Sequence, residues 1–166
     1  VDERVEHAAV IEVDLSRDEI WQSIVVAASR KLTSDRRRAD GKPGRQTEHY
    51  NEVITWDQEI ESAAAEIAVA RWRNRYWWGG SFDLRGPGTD AGSAQVRWTQ
   101  HDTGHLILYE ADDSADAFVL VTGRSPKKRI VGWTYGRDAK LDRYWRTDVK
   151  CPSWWVPQLA LRLVKG

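Results

Sequence analysis

A chain of 166 residues is long enough for one domain with a proper core, and residues 1–166 read as a single domain. Hydrophobic residues at 41% and charged residues at 30% fit a soluble globular class, and no apolar run approaches the roughly 20 residues that span a bilayer, so no membrane partner is expected. A net charge of zero, from 25 basic and 25 acidic residues, excludes a protein that coats nucleic acid by bulk charge, while leaving room for a local basic face.

Residues 7–15 predict a strand, because Ala9, Ile11, Val13 and Leu15 alternate with Val10, Glu12 and Asp14. Ser16 then offers an N-cap with Glu19 three residues on, and the pattern predicts a helix over 17–31 with Ile20, Trp21, Ile24, Ala27 and Ala28 as its apolar stripe. Residues 33–48 are polar, basic and turn-rich, and predict a mobile loop. Its five cations, Arg36, Arg37, Arg38, Lys42 and Arg45, suit phosphate contacts; a solvated linker is the plainer expectation for the same composition.

Thr55 and Gln58 make a second capping box, which predicts a helix from there to about Tyr76, closed by Gly79 and Gly80. Glu59, Ala63, Glu66, Ala70 and Arg73 share one stripe. Glu59 is expected to face solvent. Glu66 has alanine and isoleucine neighbours, so it is expected to be partly buried, where a carboxylate needs a partner or a metal.

Residues 86–90 predict a glycine-rich turn, after which strands are expected over 95–99, 105–110, 117–122 and 129–135. Their short connections predict an antiparallel meander. A short helix over 138–145 follows, and the aromatic tail over 152–159 is expected to pack back on the sheet. The ten tryptophans are expected mainly in the core or on sheet faces, with one or two free to stack on bases. One cysteine, Cys151, excludes an internal disulfide and a Cys-rich zinc site, which fits a reducing cytosol. The four histidines have no zinc-protease spacing.

One constellation looks like chemistry. Glu66 lies on an alanine-rich helix, Asp90 follows the glycine turn, and four residues later comes Gln95-Val96-Arg97 on a strand. This layout resembles the active site of the PD-(D/E)XK nuclease-like superfamily. Downstream, Val119-Leu120-Val121-Thr122-Gly123, Ile130-Val131-Gly132-Trp133 and Trp155-Val156-Pro157 resemble small phage and prophage members of that group. The resemblance covers roughly residues 55 to 160. Gln95 stands where Glu or Asp is usual, and Arg97 where Lys is usual.

The resemblance implies an α+β fold: a restriction-endonuclease-like core with a central mixed, largely antiparallel sheet flanked by helices. It implies a metal-dependent DNA endonuclease of phage, restriction or repair type, in the cytoplasm of a bacterial or phage-infected cell. Mg²⁺ or Mn²⁺ would be held by Asp90, Gln95, the carbonyl of Val96 and Glu66, whose tips should then converge within about 10 Å. Arg97 would act only electrostatically, since arginine accepts no proton at neutral pH. DNA is the expected partner, and a homodimer is the analogy from symmetric cutters. Two other readings stay open: a nuclease-like domain that has lost catalysis and binds nucleic acid or a protein, and an unrelated α+β interaction module.

Overall fold

A computed structural model describes residues 10–41, 54–77, 79 and 94–165. The chain is α+β. Strand β1, Ile11–Asp14, leads into helix α1, Arg17–Ala39, and then helix α2, Trp56–Trp72. Strands β2, Ala94–Thr99, β3, Leu106–Leu108, β4, Ala117–Thr122, and β5, Lys127–Tyr135, follow. A one-turn helix α3, Gly136–Ala139, a 3-10 turn at Asp142–Tyr144, and strands β6, Trp145–Arg146, and β7, Ser153–Val156, come last before a second 3-10 turn at Gln158–Ala160. The helix expected over 138–145 is thus two short turns, and the tail supplies a strand.

Both capping boxes form as expected. The Ser16 hydroxyl accepts from the Glu19 amide while the Glu19 carboxylate accepts from the Ser16 amide, and Thr55 and Gln58 repeat the exchange. The helix ends differ from expectation. Helix α1 runs to Ala39 instead of Lys31, so Arg36, Arg37 and Arg38 sit on its last turn and not in a mobile loop. Lys31 donates to Asp35 one turn on, at 2.9 Å, and Arg38 reaches back to it at 3.2 Å. Such pairs support a helix, and cations at its C-terminus suit the dipole. The Lys31 hydrogen bond, ahead of Arg38, holds the Asp35 carboxyl below its ordinary range. Gly41, with φ of 71°, turns the chain away. Lys42 and Arg45 lie outside the described residues. Helix α2 stops at Trp72, short of Tyr76, because Asn74 takes a left-handed φ of 50° before the glycines are reached.

The sheet is mixed, in the order β1-β5-β4-β2. Strand β1 pairs antiparallel with β5, and β5 antiparallel with β4, but β2 runs parallel to β4. The expected meander is therefore corrected. Strand β3 leaves for a second, three-stranded antiparallel sheet, ordered β3-β7-β6. This departure lets the chain return and lay β4 beside β2 in the same direction.

Two cores result. On one face of the mixed sheet, Val96, Val119, Val121 and Ile130 pack against Ala64, Ala65, Ile67 and Ala68 of α2. On the other, Phe118, Leu120 and Val131 meet Leu106, Leu108 and Val156 of the second sheet. The two long helices lie on one face only. Trp72, Trp77, Trp98 and Trp133 are half-buried against the first core and Trp154 against the second, while Trp21 and Trp56 are exposed and none of those described is fully buried. Their indoles satisfy their N–H groups there, as Trp72 does on the Lys165 carbonyl and Trp98 on the Gly123 carbonyl.

Candidate functional site

Buried alanines bring α2 close to its neighbours, and Glu66 is 4% exposed among them. Its partner comes from α1. Arg30, 3% exposed, donates from Nη1 to Oε1 at 2.7 Å and from Nη2 to Oε2 at 2.8 Å. The Trp77 indole adds a bond to Oε2 at 2.9 Å. A fork-to-fork pair of this kind is the strong form of a charge-assisted hydrogen bond, and it answers the desolvation cost of both charges. Glu59 is buried too, against the expectation of a solvent-facing residue.

Strand alternation sets the rest. Val96 pairs with Val119 and faces α2. Gln95 and Arg97 pair with Phe118 and Leu120, so they face the second sheet. Glu66 is thus on the opposite side of the mixed sheet from Gln95 and Arg97, and the expected convergence of these three is not found. Asp90 lies outside the described residues. Glu66, Gln95 and the Val96 carbonyl do not surround one ion, and among the described residues no three His, Cys, Asp or Glu side chains are grouped to hold one.

Gln95 and Arg97 instead join a polar network that sequence reasoning missed. Arg97 Nη2 donates to Asp112 at 2.6 Å, and its guanidinium lies 5.2 Å over the Phe118 ring. Gln95 Nε2 donates to Asp116 at 3.2 Å. The second Asp112 oxygen accepts from the Tyr109 amide, and Lys140 Nζ donates to the carbonyls of Glu110 and Asp112. Burial first, then the nearby Cys151 and Asp112 charges, pushes the Tyr109 hydroxyl well above its ordinary range. The signal was the aspartate-rich connection of residues 112–116 just before β4. Parallel strands begin at the same edge, so that connection lies beside the start of β2.

A second missed group is buried under α2. Lys128 is fully buried, and its ammonium donates to the carboxylate of Glu61 and to the carbonyls of Glu61 and Gly123. The Ser125 amide and hydroxyl complete the Glu61 carboxylate. Lys128 stands two residues before Ile130 on β5, which places it on the face that α2 covers.

The basic residues also have a place. Glu19 meets Arg71, and Arg30 meets Glu66, so α1 and α2 run antiparallel. The arginine end of α1 therefore lies where α2 begins. Arg124, from the β4–β5 turn, comes to that same end and bonds Asp57 at 2.5 Å and Gln100 at 3.2 Å. Beside it Thr55, Asp57, Gln58, Trp98, Thr99, Gln100 and His101 line an open cleft of about 320 Å³.

No protein-family model, curated protein or solved structure matches this chain.

Proposed function

We propose that this chain is a nuclease-like domain that holds nucleic acid without relying on metal-dependent cutting. The observation that carries this reading is the Glu66–Arg30 pair: both carboxylate oxygens are engaged, on the side of the sheet away from Gln95 and Arg97. Arg97 is itself neutralised by Asp112. Arg37 and Arg38 on the last turn of α1 support DNA as the ligand, since local cations contact phosphates even where net charge is zero and a surface pair such as Arg38–Asp35 is weak enough to exchange for a phosphate.

Phosphate contacts make affinity fall with salt. Arg37→Ala/Arg38→Ala is expected to flatten the slope of log K against log salt by about 0.9 for each duplex phosphate that the variant no longer neutralises. The measurement is a salt titration of duplex binding by both proteins, at matched folding. Identical slopes, or no duplex binding by either, would remove this reading.

A metal-dependent endonuclease is the second reading, and one observation favours it. Gln95, Arg97, Asp112 and Asp116 gather on the far face, beside the start of β2, four residues after Asp90 in sequence. A site there would be built without Glu66.

A further inference from the structure

Helix α1 carries apolar side chains on its outer face as well as on its inner one, where Ile20 packs against the core. The face it turns to α2 holds Ser23, Ala27, Arg30 and Lys31, all buried. Its outer face holds Trp21, Val25 and Leu32, exposed by 56%, 65% and 59%. At about 100° per residue these three fall within one narrow stripe, directly opposite the buried one. Three large apolar side chains on one stripe are more than scattered surface residues, and they mark a contact surface.

The charges choose the occupant. Asp18 and Arg36, both exposed, lie on the same stripe, one at each end of the helix. A parallel copy would set Asp18 against Asp18 and Arg36 against Arg36. An antiparallel copy, related by a twofold axis at the level of Ala27, sets each Asp18 beside the other copy's Arg36. It also lays Trp21 over Leu32 and Val25 over Ser29. Such a contact is isologous and closes at two copies.

We infer that the outer face of α1 is a twofold, antiparallel contact between two copies of this chain, with the Trp21, Val25 and Leu32 stripe as its centre and Asp18–Arg36 pairs at its ends. This is independent of the nucleic-acid reading. It assigns Arg36 to the contact between copies. Three apolar anchors per copy make a small interface, so the association is weak, roughly micromolar.

Sedimentation of the full chain from about 1 to 100 µM tests it, a span that brackets micromolar binding. The wild type should pass from one copy to two. Val25→Glu/Leu32→Glu should stay at one copy with an unchanged helical signal. Asp18→Arg should weaken association about tenfold, and Asp18→Arg/Arg36→Asp should restore it. The charge swap keeps the test open even if the glutamate pair misfolds. A wild type that stays monomeric would overturn the inference, above all if oxidative footprinting then found Trp21 protected by another part of its own chain. So would a dimer indifferent to the glutamates, or a swap that fails to restore.

Discussion

Glu66→Ala should lower the melting temperature by roughly 6 to 20 °C. The substitution leaves Arg30, 3% exposed, charged and without its carboxylate. Breaking a buried ion pair by removing one partner costs about 3–5 kcal/mol. In a chain of this size each kcal/mol shifts melting by about 2–4 °C. Arg30→Ala should cost a similar amount, for the mirror reason. The double change Arg30→Met/Glu66→Leu should recover most of the loss, because a well-packed apolar pair of similar volume often matches a buried ion pair. A carboxylate kept for a metal would behave in the opposite way: without the ion, its removal would leave stability unchanged or raise it. Thermal melts of the four proteins decide between these outcomes.

Lys128→Met is the second large effect. The methionine keeps the stem against Trp98, whose ring lies 5.0 Å from the ammonium. It leaves the Glu61 carboxylate, 6% exposed, to the amide and hydroxyl of Ser125. The expected cost is about 3 kcal/mol, the low end for a broken buried pair because those two bonds persist. Lys128→Met/Glu61→Gln should be milder than Lys128→Met alone. The pH dependence has a definite sign. Burial pushes the Lys128 ammonium below the usual lysine range, against the opposing pull of Glu61. The folded chain therefore gives up this proton before the unfolded chain does. Between the depressed folded value and about 10.5, the unfolded state binds more protons, and this group's contribution to stability rises with pH. The gap in stability between wild type and Lys128→Met should widen in the wild type's favour across that alkaline window. Denaturant melts at a series of pH values measure it, and a gap that narrows would contradict the assignment.

Both helix starts were legible, because a capping box is local: Ser16 with Glu19, and Thr55 with Gln58, need no tertiary information. The burial of Glu66 was legible from its alanine neighbours. Its partner was not, because Arg30 lies 36 residues away and only packing of α1 on α2 brings it near. The length of α1 was misread for a different reason. A run of arginines looks like a solvated loop by composition, yet Lys31, Asp35 and Arg38 stand at helical spacing and stabilise each other. The parallel pairing of β2 and β4 had no local signature. The pair Leu106 and Leu108 has the same alternation whether β3 joins its neighbour in sequence or crosses to β7. Gln95 and Arg97 lie away from Glu66 because α2 packs on the Val96 face of the sheet. The alternation within β2 was read correctly, but the side on which α2 packs is a tertiary fact.

Binding without metal-dependent cutting is tested most directly on one duplex sample followed for both at once, with Mn²⁺ and with EDTA, using wild type, Glu66→Gln and Asp90→Ala. The expected result is a salt-sensitive complex in which the duplex stays intact under both conditions, whichever protein that remains folded is added. EDTA-sensitive cutting by the wild type, lost in Asp90→Ala, would contradict it and place the chemistry on the far face with Gln95 and Arg97.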